Sequence, residues 1–397
     1  MLALLLGLRV IDWRPFSLAR DHLFDLYQTQ APTTPNSGRV VVVDIDKASV
    51  ARLGQMPWPG SVWADVTRRL TAAGAIVGID IVFDEPARGG GDAEFAEAIR
   101  EGRVVLASAA DPARKPSMPR KAGFAIIHGS AAALTGLFAL TGLSEPLPLL
   151  AENAAGNGPS IMGPHDADGV FRRLPMVARI GGRIYPSFVV ELARVLQGTP
   201  SVMLRAIASG IPYIDLIVLS GPGGDIVMPT GWNGDVRPRF SIAPLRKLSI
   251  LDVLDDGLAV GSLAGQIAIV GTSADEDLRM TPLGMRPGVY FHATALDNIL
   301  TGSLLRQPIW GDSAEAGAVL VGGLMVIGAA LAGSPRGTIA AWLVVAVLAA
   351  AGSYVLFHRC GWLLDSAAPI LSATVLLFAY LLVDALRRER PTVVVPE

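Results

Sequence analysis

Residues 39–108 decide the fold, and they read RVVVVDIDKASVARLGQMPWPGSVWADVTRRLTAAGAIVGIDIVFDEPARGGGDAEFAEAIREGRVVLAS. The run at 39–46 is rich in β-branched residues, which is typical of a strand buried in a parallel sheet. The same criteria predict, in order, a helix capped by Ser61, a strand at 75–83, a helix from Asp92 and a strand at 103–108. Strands that alternate with helices in this way predict an α/β fold with a mainly parallel sheet flanked by helices.

The rest of the folded region is less regular. Residues 110–164 are rich in Ala, Gly, Pro and Leu without a clean period, and we expect an irregular insertion or a lid there. Residues 165–169 (HDADG) predict a hairpin turn, and Arg172 and Arg173 beyond it are expected to pair weakly at the surface with the two aspartates of the turn. The predicted domain is completed by a helix at 187–196, a strand at 266–271 and a helix at 289–300.

The composition points to a membrane protein with a separate folded domain. The chain is 51% hydrophobic and 17% charged, whereas soluble domains carry about 25% charged residues. The apolar excess lies in segments 314–333, 338–357 and 363–383, each close to the ~20 residues that cross a bilayer as a helix. We therefore predict an all-α anchor of three transmembrane helices.

Charge and cysteine content exclude two kinds of function. The net charge is −2 and the sequence has no long run of Lys and Arg, so binding to nucleic acid has no electrostatic basis. Cys360 is the single cysteine, so neither an internal disulfide nor a cysteine-based zinc site can form. We expect no cofactor.

The short charged loops predict the membrane topology. Arg387, Arg388 and Arg390 follow the last apolar segment, and the positive-inside rule places them in the cytoplasm. Counting back puts Arg336 inside and Cys360 outside, so the folded domain before the first span is extracytoplasmic. We expect a multi-pass protein of the inner cell membrane.

Five motifs along the folded region carry a resemblance: VVVDIDKASVARLGQMPWPG, DADGVFRRLP, RIYPSFVVELAR, QIAIVGTSADE and RPGVYFHATALDNILTG. Together they span about residues 39–307, and they resemble the second type of CHASE domain, the cyclase and histidine-kinase associated sensory extracellular module. The resemblance implies that the domain detects an extracytoplasmic signal and passes it through the membrane to a cytoplasmic cyclase or kinase. The three apolar segments fit the usual layout of that family.

The resemblance and the apolar segments together predict the organisation of the chain. Residues 1–11 (MLALLLGLRVI) lack a basic start and a cleavage site, so we expect the C-terminal half of a transmembrane helix rather than a secretory signal. The predicted parts are an N-terminal transmembrane remnant with a linker helix (1–30), a CHASE-type sensor domain (31–312), three transmembrane helices (313–384) and a short cytoplasmic tail (385–397).

The short tail departs from the family's pattern. Only fourteen residues follow position 383, too few for a cyclase or a kinase, and the sequence has no phosphate-binding glycine loop or kinase signature. Either the chain is a piece of a longer protein, or it acts through a separate cytoplasmic cyclase or kinase.

Acidic residues end two of the predicted strands: Asp44 and Asp46 the first, Asp80 and Asp84 the second. Because the carboxyl ends of parallel strands meet at one edge of a sheet, where ligands bind in open α/β folds, we expect a ligand site there. Such a cluster can bind a hard cation or accept hydrogen bonds from a cationic or hydroxylated ligand. The alternative is that these aspartates cap the helices that follow.

Three other residues are candidate ligand contacts. Trp58 lies between two prolines and can either floor a pocket or pack under the next helix. Thr272 follows the last strand, where it can offer a backbone N–H to an anion or simply form a tight turn. His292 lies beside an apolar stripe of a helix, either as a structural residue or as a pocket-lining or proton-sensing group. We predict no catalytic residue and leave metal binding open.

Three functions compete: a sensor of an unidentified small-molecule or periplasmic ligand, a metal-dependent extracytoplasmic enzyme, and a structural membrane assembly protein. The chain has only 5 histidines, which disfavours the enzyme. Besides membrane lipid, we expect a second copy of the chain as partner, because small residues let helix backbones approach in lipid. The same residues equally allow packing within one chain: Gly317, Gly322, Gly323, Gly328 and Gly333.

Overall fold

The computed structural model describes residues 1–30, 36–117, 120–207, 212–241, 243–255, 257–274 and 278–388. The chain divides into two compact units, each described by itself below. The membrane unit comprises Met1–Ala31 and Gln307–Glu397, and the α/β unit comprises Pro32–Arg306. Of the predicted cytoplasmic tail, residues 389–397, including Arg390, lie outside the described residues, as do residues 31–35 at the start of the predicted sensor domain.

The elements are numbered along the chain. The strands are β1 (Val40–Ile45), β2 (Ile76–Ile79), β3 (Val104–Ala110), β4 (Gly123–His128), β5 (Phe138–Leu140), β6 (Leu143–Ser144), β7 (Gly156–Pro159), β8 (Leu174–Pro175), β9 (Val177–Ile180), β10 (Arg183–Pro186), β11 (Ser201–Ile207), β12 (Tyr213–Gly221), β13 (Gly224–Pro229), β14 (Asp235–Val236), β15 (Arg246–Ser249), β16 (Ile267–Thr272), β17 (Leu278–Thr281) and β18 (Gly284–Pro287). The helices are α1 (Leu2–Val10), α2 (Arg14–Gln30), α3 (Lys47–Leu53), α4 (Gly60–Ala72), α5 (Asp92–Glu101), α6 (Pro148–Asn153), α7 (Phe188–Gln197), α8 (Ile250–Asp255), α9 (Gly288–Thr301), α10 (Gly311–Leu331), α11 (Pro335–Cys360) and α12 (Ala367–Arg388).

The α/β unit is built on one central sheet. Its strand order is β15-β1-β16-β2-β3, and both β6 and β7 then pair with β3. All these pairings are parallel except that of β3 with β6, which confirms the predicted mainly parallel sheet. Strand β16 inserts between β1 and β2, so the last strand of the sheet along the chain is central in space.

Helices cover both faces of this sheet. Val40 and Val42 of β1 face the core that α7 and α9 fill, while Val41 and Val43 face the core under α4 and α5. All four valines are essentially inaccessible to solvent, which explains why the strand is apolar on both sides. A second sheet, of order β13-β12-β11-β4, contributes to the same core as α7 and α9. Helix α7 therefore lies between two sheets.

The prediction that residues 110–164 are irregular is wrong. This segment contains β4, β5, β6, the helix α6, β7 and a short 3₁₀ helix at Ala131–Gly136. Its strands pair with distant partners, since β4 joins β11, β5 joins β9, and β6 and β7 join β3. Most of these strands are only two to four residues long, too short to display an alternating pattern in the sequence.

The start of α4 also differs from its prediction. The helix begins at Gly60 after Pro59, and Ser61 lies within its first turn instead of capping it. The Gly60 N–H donates to the carbonyl of Gly90, and a Cβ at Gly60 would lie 2.4 Å from the backbone of Gly91. Only glycine permits this approach, so the glycine loop at 89–91 fixes the first residue of the helix.

The turn at 165–169 forms, but within the described residues its flanks are not paired as a hairpin. Arg172 donates to Asp166 at 3.0 Å and to Asp168 at 2.6 Å. The expected pairing with the aspartates is confirmed for Arg172 and for Arg173, whose Nε lies 3.7 Å from Asp166, but its surface location is wrong for Arg172, whose side chain is only 3% exposed. This buried guanidinium lowers the pKa of Asp168 to about 2.

Asp168→Asn should therefore cost stability in a pH-dependent way. The folded-state pKa is below the unfolded value of 3.8, so the carboxylate stabilises the fold above that pH and loses this effect as the pH falls toward about 2. We expect a loss of roughly 2 kcal/mol at neutral pH. Chemical denaturation of wild type and variant across this range measures it, and a difference that is independent of pH would contradict the assignment.

The membrane unit holds three helices long and apolar enough to cross a bilayer, α10, α11 and α12. The predicted apolar segments are thus confirmed as helices. Helix α1 packs on them through Leu5, which shares an apolar cluster with Val319 and Leu376. Trp310 and Trp362 lie at one end of these helices with ring centroids 5.2 Å apart, as expected for aromatic side chains at a membrane interface.

The glycines of α10 divide into two groups. A Cβ at Gly322 would lie 2.8 Å from Val345 of α11, and one at Gly323 would lie 2.4 Å from Leu2 of α1. These two glycines serve packing within the chain, the alternative that the sequence left open. Gly317 and Gly328 have no atom within 4 Å of such a Cβ among the described residues.

Candidate functional site

Asp44 lies at the carboxyl end of β1 within a polar group that we call the edge cluster, formed by Asp44, Lys247, Ser273 and Tyr290. Its Oδ2 accepts a hydrogen bond from Ser273 at 2.6 Å and lies 2.5 Å from the Lys247 ammonium. Asp44 is completely buried, and its hydrogen bond with Lys247, together with its charge, raises the pKa of that lysine. Burial, with the charge of Asp44, also raises the pKa of Tyr290. The ammonium of Lys247 and the hydroxyl of Ser273 thus both contact the same oxygen of Asp44.

Asp80 directly follows β2, which is separated from β1 in the sheet by β16. Its N–H donates to the carbonyl of Val270 in β16, and the neighbouring Gly271 pairs with Asp44. Two strand spacings separate the aspartates, which places their Cα atoms about 10 Å apart. Alternation along β1 and β2 puts both on the face covered by α9, and within the described ranges no group donates a hydrogen bond to the Asp80 side chain.

Two of the predicted site residues have local structural roles. Asp46 caps α3, since its Oδ1 accepts from the Ser49 N–H at 2.9 Å and from the Ser49 hydroxyl at 2.7 Å. That hydroxyl also lowers the pKa of Asp46. The Thr272 hydroxyl donates to the carbonyl of Ile45 and accepts from the Ala274 N–H, so it closes the turn after β16.

Trp58 packs under α4. It is 2% exposed, its ring lies 5.5 Å from that of Trp63, and its indole N–H donates to the carbonyl of Gly54 at 2.8 Å. Trp58 lies in the core on the other face of the sheet, in the same cluster as Ile45 and Ile79.

Asp84 contacts the segment around β6, and His292 lies in α9. Asp84 accepts from Arg114 at 2.8 Å and from the Ser144 hydroxyl at 2.6 Å. His292 is 2% exposed in α9, and its Nε2 lies 2.9 Å from the hydroxyl of Ser160. Of the predicted site residues, Asp44 and Asp80 thus lie on one face of the sheet at its carboxyl edge, and His292 lies on α9, which covers the same face.

A cavity lies at the other end of the sheet's carboxyl edge, beyond β3. We call it the β3–β7 pocket, and its polar lining is Ser108, Arg120, Glu145, Asn157 and Tyr185. Ser108 is 3% and Tyr185 5% exposed. The sequence prediction named none of these residues, because all but Ser108 come from the segment taken as irregular or from β10.

The profile of the CHASE2 domain matches residues 1–330. This chain belongs to the CHASE2 family. CHASE2 domains are a family of sensory extracellular modules, and the matched residues include the whole α/β unit. Neither the comparison with curated proteins nor that with solved structures gives a match for this chain.

One sequence signal points to the pocket of this CHASE2 domain. Strand β7 reads GNGP, and a Cβ at Gly156 or Gly158 would lie within 2.7 Å of Glu191 or of the Phe188 backbone in α7. Alternate glycines in a strand mark close approach by another element. The Asn157 side chain then points to the opposite face, toward α6, where its amide donates to the carbonyl of Ala151.

Metal chemistry has little support at the CHASE2 sheet edge. Within the described ranges, no three His, Cys, Asp or Glu side chains converge in a way that suits a metal ion. The cation next to Asp44 is Lys247, which already neutralises the carboxylate.

Asp44→Asn and Asp80→Asn should differ in their effect on the free energy of unfolding. Asp44→Asn removes the charge that Lys247 pairs with, and since the Lys247 side chain is 46% exposed we expect a loss of roughly 2 kcal/mol. Asp80→Asn should change the unfolding free energy by less than about 0.5 kcal/mol. Urea denaturation of the two variants tests this, and an equal loss in both would refute the difference in role.

Proposed function

We propose that this chain is a membrane-anchored sensor whose α/β unit lies outside the inner membrane and signals through α10, α11 and α12 to a cytoplasmic cyclase or kinase. The observation that carries the proposal is the match to the CHASE2 domain over residues 1–330, which runs through the sensory unit and most of the first membrane helix. A sensory domain joined to helices that can cross a bilayer needs a means of passing its state across that bilayer.

The charges at the helix ends support the orientation. Arg336 lies at the start of α11, and Arg387 and Arg388 lie in the last turn of α12. In a three-helix anchor these positions share one side of the membrane, and the positive-inside rule assigns them to the cytoplasm. The tryptophans at the opposite end of the helices, Trp310 and Trp362, suit the outer interface of the membrane.

A second copy of the chain is the partner that we propose. Since Gly322 and Gly323 are used within the chain, a dimer contact would use the open side of α10 at Gly317 and Gly328. These two positions are eleven residues apart and so lie on one helix face. Gly328→Ile should reduce crosslinking between chains in membranes while Gly322→Ile should instead impair folding, and undiminished crosslinking of Gly328→Ile would exclude this face.

A reporter fusion tests the sensory role. A nucleotide cyclase catalytic domain is fused after Glu397. Its rate of cyclic nucleotide synthesis then reports changes in the arrangement of the membrane helices. We expect its output to change with Asp44→Asn or Asp80→Asn in the α/β unit, while the exposed Glu94→Gln, which touches only surface arginine, leaves it unchanged. A structural anchor predicts the same output for every variant that folds, and that result would refute the proposal.

A further inference from the structure

The β3–β7 pocket contains polar atoms that the fold does not use. The Tyr185 hydroxyl and the Asn157 Oδ1 are both buried, and within the described residues neither has a hydrogen-bond partner. Arg183 lies near Tyr185 but has no hydrogen bond of acceptable geometry to its hydroxyl. A buried polar atom without a partner costs stability, so its presence beside a cavity points to a molecule that supplies the bond.

The elements that carry these atoms are well ordered by other contacts. Asn157 pairs with Leu106 across β7 and β3, and its amide nitrogen is fixed by the carbonyl of Ala151. Tyr185 pairs with Ala178 in the β9–β10 hairpin and packs in an apolar cluster with Leu143. The acceptor and the hydroxyl are therefore held in place before any ligand arrives, which lowers the entropic cost of binding.

Two charged side chains of opposite sign, Arg120 and Glu145, line the pocket. Arg120 donates one hydrogen bond to the carbonyl of Ile184, and its guanidinium has further N–H groups to offer. Glu145 on the same rim accepts from the N–H and hydroxyl of Ser117. A molecule that carries both an ammonium and a carboxylate can pair with Glu145 and with Arg120, whereas a ligand with a single charge leaves one of these two groups unmatched.

The size of the cavity limits the ligand. Its volume is about 20 Å³, and a site needs roughly 10–15 Å³ of this measure for one water molecule. An organic ligand must therefore be small and must move the side chains of the exposed rim outward. A ligand that binds only the widened form of the pocket shifts the α/β unit toward that form. This difference in affinity between two forms is what a sensor requires.

We propose that the β3–β7 pocket binds a small zwitterion of the amino-acid class, with its carboxylate on Arg120, its ammonium toward Glu145 and Asn157, and a hydrogen bond to Tyr185. This assignment rests on the proposed sensory function and adds the chemical class of the signal. Leu143, Pro146 and Pro159 supply the apolar wall against which a short side chain packs.

Thermal unfolding of the full chain in lipid nanodiscs tests the assignment, with glycine, L-alanine and L-serine as probes and acetate, methylamine and glycerol as partial mimics. We expect at least one zwitterion to raise the midpoint of the α/β unit by roughly 5 °C at about 100 times its Kd. Acetate, methylamine and glycerol lack one or both charges, so each should raise it by much less.

Matched variants locate the site. Tyr185→Phe and Asn157→Leu should each weaken zwitterion binding by about tenfold, the effect of one lost hydrogen bond. Tyr185→Phe should leave the unliganded midpoint unchanged, because its hydroxyl has no bond to lose. Tyr213→Phe, the same change in the second sheet, should leave the affinity unchanged.

Three outcomes would overturn the inference: no stabilisation by any zwitterion, equal binding by Tyr185→Phe and wild type, or equal stabilisation by glycerol. If the cavity holds only an ordered water molecule, no zwitterion will stabilise the protein. If the reporter fusion still responds to changes in the α/β unit, the sensory function stands and only the ligand class fails.

Discussion

Replacing Arg194 by methionine should lower the free energy of unfolding of the α/β unit by about 3–5 kcal/mol. Arg194 in α7 donates to both oxygens of Glu191, at 3.0 and 2.7 Å. Glu191 is completely buried, and burial raises its pKa. Arg194 also donates to the carbonyls of Ala155 and Thr199, so its loss leaves a carboxylate and two carbonyls without their donor.

Two controls accompany this measurement by urea denaturation. Arg68→Met removes an exposed arginine that pairs with Glu94, and we expect a loss of less than about 1 kcal/mol. The double change of Glu191 to leucine and Arg194 to methionine removes the buried charge as well, so it should recover part of the loss. If Arg194→Met costs no more than Arg68→Met, the buried pair does not stabilise the unit.

Arg9→Met should have a comparable effect on the membrane unit, a loss of about 3–5 kcal/mol. Arg9 in α1 is 5% exposed and forms ion pairs with Glu315 and, at 3.1 Å, with Asp312 of α10. Its Nε lies 3.8 Å from Asp365, before α12. Without this guanidinium, two carboxylates stay buried next to each other, and α1 loses its polar attachment to the other helices.

Thermal unfolding in detergent, followed by limited proteolysis at α1, measures the effect. The matched control is Arg388→Met, because Arg388 pairs with Asp384 through a side chain that is 68% exposed. We expect the control to change the midpoint little. If Arg9→Met leaves α1 protected from proteolysis and the midpoint of thermal unfolding unchanged, the ion pairs do not hold α1 against the other membrane helices.

The sequence predicted those elements whose apolar pattern is long and has clear ends. Helix α7 is an example, since Ser187 caps it and Gly198 ends it in a left-handed conformation, as the residues at 187–198 indicate. Strand β1 was equally clear, because both of its faces are buried. The insertion of β16 between β1 and β2 was not predictable, since strand order depends on pairing between distant segments.

Part of the candidate site was out of reach for the same reason. The β3–β7 pocket joins residues from Ser108 to Tyr185 through short strands that show no period. Charge patterns also fail to reveal burial: Arg172 follows a polar turn and looks exposed, yet the fold encloses it. By contrast, the spans α10, α11 and α12 were predictable because length and composition alone define them.

The central claim is that the α/β unit lies outside the inner membrane and signals to the cytoplasm. Cysteine labelling in intact cells tests this topology most directly. Cys360 is the only cysteine in the sequence, and it is exposed at the end of α11. A membrane-impermeant maleimide should label Cys360 without lysis. In a Cys360→Ser background, Arg336→Cys at the other end of α11 should be labelled only after lysis. Labelling of Arg336→Cys in intact cells, with Cys360 protected, would contradict the account.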